Sequence, residues 1–426
     1  MPNALENRQS KGGGNATPAP WAPFGIASYR SFWVAGFISN LGTWMHETGA
    51  QWLMASLAPQ PHMVAAVRTC MAVPFFFLAL PAGVWADNTD RRMWLQATQV
   101  LLFLTAASMA VLAAAGWMTP SMLLALTSIM GIAMVLNQPA WQSLTPELVP
   151  PAMVPTAVSV GSLSFNLARA LGPALAGILI AQFDVWVAFA LNAFSFLVVL
   201  RAVRGWRLAA APPKKVRPRF WAEMRGGLQV VQRVTEVRHA IARLFVFALP
   251  ASVLWSLLAL VAKQKLHFEE RGFGLCLAFL GSGAVIGAWF ISYVRARLSS
   301  ECIVLVAQVT FGLLCVVIGL QDTRQAVLPA LLVMGCCWMA TMTTLNATAQ
   351  VFLPRAFRAR GMASYLMAFS LGTSLGSALW GWYARATSVD AAYWTAGAAL
   401  IAAAAAAHRL SLGDLRNPSP GEAAVG

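Results

Sequence analysis

Three ionisable side chains, Glu47, Arg68 and Arg169, sit deep inside long apolar runs. A charge within a membrane-length segment is costly, so it faces a partner or a wet cavity. On a helix, Asn40, Trp44, Glu47 and Gln51 follow one another at steps of three or four and share a face. Arg169 shares a stripe with Ser159, Ser162, Asn166 and Pro173. Two chemistries fit this set. Glu47 can form a structural ion pair with Arg68 or Arg169. It can also take up and release protons, as desolvation and a neighbouring guanidinium pull its carboxyl group in opposite directions. His46 cannot lie on the face of Glu47, so an interhelical hydrogen bond is expected of it rather than a relay role.

A second set suits an apolar guest. Thr341, Thr344 and Thr348 fall at helical spacing, with Trp338 and Asn346 nearby, and Met334, Met339, Met342, Met362 and Met367 add adaptable contacts. With Asn40, Trp44, Gln51 and Asn166 they make up a candidate substrate cavity. Core packing explains such a stripe more often than ligand contact does. The glycines Gly281, Gly283, Gly287, Gly372, Gly376 and Gly381 are expected at close helix contacts.

Enzyme chemistry finds no support. The chain has no H-E-x-x-H and no glycine loop ending in Lys-Ser/Thr. Its five histidines are scattered, and its six cysteines lie in or beside apolar runs without ligand spacing. No cofactor, metal site or disulfide framework is expected.

The elements that must position these residues are membrane spans. Of 426 residues, 58% are hydrophobic and 11% charged, outside the balance of soluble domains. A span needs about 20 mostly apolar residues. The chain offers such windows near 31–56, 62–86, 93–116, 120–142, 154–183 and 185–203, and again near 239–262, 273–297, 302–320, 326–352, 361–386 and 390–409. The net charge of +15 is not a nucleic-acid signal. Placing the N-terminus inside puts all but seven of the 30 Lys and Arg in cytoplasmic segments, the exceptions being Lys263, Lys265, Arg271, Arg324 and Arg385 outside and Arg68 and Arg169 within spans. This is the positive-inside bias. Residues 1–28 are expected to be a disordered cytoplasmic tail without an apolar signal region, 204–238 a basic cytoplasmic linker with an amphipathic stretch at 220–225, and 411–426 a second cytoplasmic tail. Between them lie two six-span units, 29–203 and 239–410. A faint repeat links 29–44 with 238–255: each has a basic start, Tyr29-Arg30 and Arg238-His239, and ends on Trp, Trp44 and Trp255.

One charged decapeptide, Gly83-Val84-Trp85-Ala86-Asp87-Asn88-Thr89-Asp90-Arg91-Arg92, interrupts the apolar runs and must lie at a water interface. It resembles the G-x-x-x-D-(x)n-R-R loop between helices 2 and 3 of the major facilitator superfamily of secondary transporters. The resemblance implies that Gly83 lets the helix end pack closely, that Asp87 faces a helix N-terminus near Gly361, and that Arg91 and Arg92 anchor the loop. Asp87, Asp90, Arg91 and Arg92 would then act with Arg358 or Arg360 as a conformational latch. The corresponding stretch of the second half, Tyr293-Val294-Arg295-Ala296-Arg297, keeps the bases but lacks the acid.

The segments Ser39–Met45, Asn166–Pro173, Asn192–Phe196, Thr344–Gln350 and Arg358–Gly361 resemble the enterobactin-exporter-like branch, also called transmembrane secretion effectors. Gly172-Pro173-Ala174-Leu175-Ala176-Gly177 is similar to the helix-5 G-P-x-x-G-G signature of proton-coupled antiporters, with Ala176 in place of one glycine. Pro173 removes a backbone donor and bends the helix. The helix-4 arginine of many drug–proton antiporters is missing around Ser128–Gly131, which makes Arg169 its substitute. The expectation is an all-α membrane protein of twelve transmembrane helices in two six-helix bundles, the major facilitator fold. It would be a monomer in the cytoplasmic (inner) membrane with both termini cytoplasmic. Its partners would be the lipid bilayer, protons and a small amphipathic, siderophore- or drug-like substrate, exported by proton antiport. The alternatives are a proton-coupled importer on the same fold and a sensor or assembly protein that no longer transports.

Overall fold

A computed structural model describes residues 21–205, 231–354 and 358–413; within that range the side chains of Asp87, Asn166, Arg358 and Arg360 also lie outside the described set. Among the described residues there is no strand, and twelve helices reach 19 residues or more. They are α1 Ala27–Leu57, α2 Pro61–Asn88, α3 Arg91–Ala114, α4 Pro120–Gln142, α5 Val154–Phe183, α6 Trp186–Gly205, α7 Thr235–Leu260, α8 Glu270–Arg295, α9 Ser300–Leu320, α10 Arg324–Phe352, α11 Arg358–Ala386 and α12 Val389–Ala407. Local chemistry sets several starts. Asp90, Thr119, Ser299 and Ser388 accept the first free backbone N–H groups of α3, α4, α9 and α12. Pro61 and Pro120 occupy first-turn positions, where a missing N–H costs nothing.

Ten of the twelve contain a window long and apolar enough to cross a membrane. The other two are α1 and α11, whose apolar character is diluted by Asn40, His46, Glu47 and Gln51 in one and by Ser370, Thr373, Ser374 and Ser377 in the other. Both are wrapped by neighbours, α1 by α5 and α6, α11 by α2 and α7. A polar helix survives among apolar ones when its polar face meets protein rather than lipid.

Short connections make successive helices antiparallel. One face of the molecule carries the 57–61, 114–120, 183–186, 320–324 and 386–389 connections; the opposite face carries 88–91, 142–154 and 295–300. Within the first six helices α1 packs on α5 and α6, α2 on α4, and α3 on α6 and α4. Within the last six α8 packs on α10, α9 on α12 and α10, and α7 on α11 and α12. The halves meet where α2 lies against α11 and α5 against α8.

The core is distributed unevenly between the two faces. Toward the 57–61 face one buried cluster spans both halves and includes Met54, Leu123, Ile180, Leu257, Phe273 and Tyr393. Toward the opposite face the buried residues divide. One cluster (Tyr29, Phe32, Leu95, Val199) belongs to the first half alone, and another (Leu244, Val304, Leu345, Tyr365) to the second half alone.

Structure extends slightly past the limits expected for the tails. A short turn, Ala22–Gly25, precedes α1, and Phe24 packs on Tyr29 and Trp33. At the other end Leu412 is fully buried among α7, α9, α10 and α11. Its N–H donates to Glu301 Oε1 at 2.7 Å, and Arg243 donates to the Leu410 carbonyl at 3.2 Å. Buried apolar contact and satisfied backbone groups hold a segment whose composition reads as tail. The linker stretch at 220–225 lies outside the described residues.

Candidate functional site

The charged centre forms where α1, α2 and α5 of the first half face α7 of the second. A Cβ at Gly172 would stand 2.6 Å from the Trp44 Cβ, so only glycine lets α5 approach α1 here. Tyr29 and Trp33 fix the register of the same pair by donating to the Ala157 and Val160 carbonyls at 2.8 and 3.0 Å.

Glu47 Oε2 and Arg68 Nη1 are 2.7 Å apart, each side chain about one-fifth exposed. Gln51, its amide oriented as its neighbours require, accepts from Arg68 Nε and donates to the Trp255 carbonyl, both at 3.1 Å. Gln51 thus ties the ion pair to the second half. Arg169 is built differently. Its guanidinium lies 5.8 Å from the Trp44 ring and 5.6 Å from the Trp255 ring, and its buried Nε and Nη2 have no hydrogen-bond partner among the described residues. Arg68 also approaches the Trp255 ring, at 5.1 Å. Cation–π attraction offsets part of the desolvation of both cations, but it does not supply a counter-charge. Two guanidiniums face one carboxylate.

His46, Glu47, Ala50, Gln51, Val67, Arg68, Met71 and Thr127 line a cavity of about 10 Å³, room for roughly one water molecule. It is far too small for cargo, and of a size to bring water to the Glu47–Arg68 pair. The His46 ring packs against Phe189 at 4.7 Å, and its buried Nδ1 has no hydrogen-bond partner among the described residues. Asn40 is half-buried farther along α1, toward the opposite face.

The second half contributes rings. Trp255 stands 6.4 Å from Trp44 and 5.5 Å from Trp338, and Trp338 touches Phe247, Phe311 and Phe369. The threonine stripe is not brought into this centre. Thr341, Thr344 and Thr348 are completely buried. Farther along the same helix Gly335 meets the Leu280 carbonyl and Gly283 the Leu332 carbonyl, so α8 and α10 lie backbone against backbone there. Thr344 instead faces Arg295, 3.5 Å from its Nη2.

Comparison with known proteins matches this architecture. The transmembrane secretion effector family matches residues 18–420. The chain is 27% identical to the staphyloferrin A transporter of Staphylococcus aureus over 40% of its own length and 43% of that protein. It is 28% identical to the uncharacterised MFS-type transporter YfiS of Bacillus subtilis over 59% of its length and 60% of that protein. In both cases the match spans less than two-thirds of the relative. Among solved structures it resembles the nucleoside transporter NupG (TM-score 0.71, 13% identity, 90% of this chain and 99% of that one). It also resembles an inward-facing bacterial homologue of the human lysosomal transporter Spinster (TM-score 0.67, 12% identity, 92% and 98%). The chain belongs to the transmembrane secretion effector family. It is therefore a multi-pass membrane protein of a family of major facilitator transporters, not of enzymes.

In this transporter the helix-5 motif lies at the seam between halves. A Cβ on Gly274 of α8 would be 2.8 Å from Gly177 Cα and 2.9 Å from the Pro173 carbonyl, so α5 and α8 touch through bare backbone. On the same face Lys263 donates to Ser56 Oγ at 2.8 Å, and a Cβ at Gly381 of α11 would meet the Ala65 Cβ at 2.5 Å. The charged loop lies on the opposite face. Asp90 caps α3, Arg91 pairs with Glu147, and Arg92 donates to the Arg204 carbonyl at 2.7 Å, all contacts within the first half. Among the described residues a Cβ at Gly83 would meet nothing within 4 Å, so close packing is not what glycine provides there in this conformation. The latch partners Asp87, Arg358 and Arg360, and Asn166 of the substrate set, have side chains outside the described residues.

Trp255 and Gly274 are the participants that residue-type reasoning overlooked. The repeat between 29–44 and 238–255 was a signal for the first: the two terminal tryptophans of that repeat meet at the centre. Nothing local marks Gly274, whose role depends on a helix from the other half.

Proposed function

We propose that this transporter exports a small amphipathic, siderophore- or drug-like molecule from the cytoplasm in exchange for protons. It would act as a monomer of two six-helix units, 29–203 and 239–410, in the inner membrane with both termini cytoplasmic. The observation that carries this reading is the uneven core. Buried residues are continuous across the halves at the 57–61 face and divided at the other, as expected of alternating access caught closed on one side. The distribution of Lys and Arg supports placing the divided face in the cytoplasm, which makes this an inward-facing state. Glu47 and Arg68 lie beneath the seal beside a one-water cavity, a placement suited to a carboxyl group that changes its protonation as access changes. The small-residue seam of α5 and α8 supports exchange through its likeness to the antiporter signature.

One observation favours proton-coupled import as the second reading. Two arginines face one glutamate, so protonating Glu47 would strengthen the binding of an anionic cargo and carry proton and cargo together. A measurement separates the two. In proteoliposomes holding a pH-sensitive dye, with candidate cargo supplied on one side only, antiport moves protons against the cargo and symport moves them with it. No proton movement with any transported cargo overturns both. For topology, cysteine placed at Lys215 on a cysteine-free background should resist an impermeant thiol reagent in intact cells, and ready labelling there would overturn the assignment.

A further inference from the structure

The central cluster holds buried hydrogen-bond donors that have no acceptor. Arg169 Nε and Nη2 and Trp255 Nε1 are all buried without a partner among the described residues. They belong to one site, because the Arg169 guanidinium lies 5.6 Å from the Trp255 ring centre. A buried donor without an acceptor forfeits the hydration it had in water, and a charged one forfeits more. Two described acceptors are turned toward Arg68 instead: Glu47 Oε2 takes Arg68 Nη1, and the Gln51 oxygen takes Arg68 Nε. The charge count agrees with the donor count. The Glu47–Arg68 pair is neutral, and Arg169 leaves one positive charge in an apolar setting.

Aromatic faces surround these donors. Trp44 and Trp255 flank Arg169, Phe165 packs on Trp44 at 6.0 Å, and Trp338 packs on Trp255. Phe165 is exposed and Trp44 and Trp255 are half-buried, so the wall can be reached. A guest suited to it has an acceptor-only, negatively charged head and a flat apolar body.

We propose that the cargo of this transporter carries an oxyanion, a carboxylate or a group of the same shape, which binds Arg169 and accepts from Trp255 Nε1 while its apolar part lies against Trp44 and Phe165. This inference rests on the reading of the central cluster as the cargo site. It assigns Arg169 to cargo rather than to the proton, and it divides the two arginines: Arg68 answers to Glu47, Arg169 to the substrate. Planar guanidinium geometry matches a carboxylate through two parallel hydrogen bonds, which a lysine at the same place could not reproduce.

The test uses the full-length purified protein at neutral pH and two probes of one shape, 2-naphthoate and its uncharged amide, read by quenching of tryptophan fluorescence. The naphthoate should bind at least about tenfold more tightly than the amide, the ratio expected when a charged hydrogen bond replaces a neutral one. Arg169→Gln should erase that preference while leaving amide binding in place. If the glutamine variant does not fold, Arg169→Lys keeps the charge and should lose most of the preference through loss of the two-pronged geometry. Equal binding of both probes to the unmodified protein overturns the oxyanion assignment alone. A preference that survives in the Arg169 variants also overturns it. Saturable binding of neither probe overturns the cargo-site reading, and the inference with it.

Discussion

The two halves share a fold and differ in what they bring to the centre. The first half supplies the charge: Glu47 and Arg68 paired at 2.7 Å, and Arg169, whose buried Nε and Nη2 have no hydrogen-bond partner among the described residues. The second supplies an aromatic cluster, with Trp255, Phe247, Phe311 and Phe369 gathered around Trp338. The same asymmetry recurs at the loops. After α2 come acids as well as bases; after α8, Arg295 turns inward to Thr344 and Arg297 stacks on Tyr293 at 3.7 Å. On the proposed reading the halves would divide the tasks, the first exchanging the proton and the second offering the cargo an aromatic surface.

The largest effect should come from the charged side. Glu47→Gln is expected to reduce pH-gradient-driven transport to background while cargo binding persists, measured in vesicles and by fluorescence. Continued accumulation against a gradient with unchanged pH dependence would make the pair merely structural. Next comes the loop asymmetry. Asp87→Asn should preserve folding and membrane level and strongly lower transport, because a latch needs the acid that the second-half loop lacks; normal transport would reduce the loop to a topological anchor.

A smaller effect tests the seam. Gly274→Leu puts a side chain where α8 meets Gly177 and Pro173. Overpacking of this kind costs about 1–3 kcal/mol, and here it falls on the state sealed at the 57–61 face. A cysteine at Ser56 should then react faster with an impermeant thiol reagent than in the Gly274 background, and equal rates would mean that the seam does not control closure. The smallest effect belongs to the second half. Thr341 and Thr348 carry buried hydroxyls without partners. Replacing each with Val removes an unsatisfied polar group at equal shape and should change stability by no more than about 1 kcal/mol, in the stabilising direction. Transport should be unaffected. Loss of transport in Thr348→Val with unchanged melting temperature would return the stripe to the substrate path.

The sequence alone determined the helical ladder. Length and apolarity decide where a chain can cross a bilayer, and every expected window falls on one of the long helices, because in lipid the backbone must satisfy its own hydrogen bonds. It also marked Glu47, Arg68 and Arg169, since a charge in an apolar run is visible without coordinates. Tertiary structure decided the partners. Whether Glu47 chose Arg68 or Arg169 depends on how α1, α2 and α5 converge, and Gly172 controls that convergence through a contact more than a hundred residues away in sequence. The complete burial of Thr341, Thr344 and Thr348 is likewise a matter of tertiary packing that their spacing does not reveal. Periodicity assigns a residue to a face of its helix; only the neighbouring helix determines whether that face meets a cavity, a backbone or a ring.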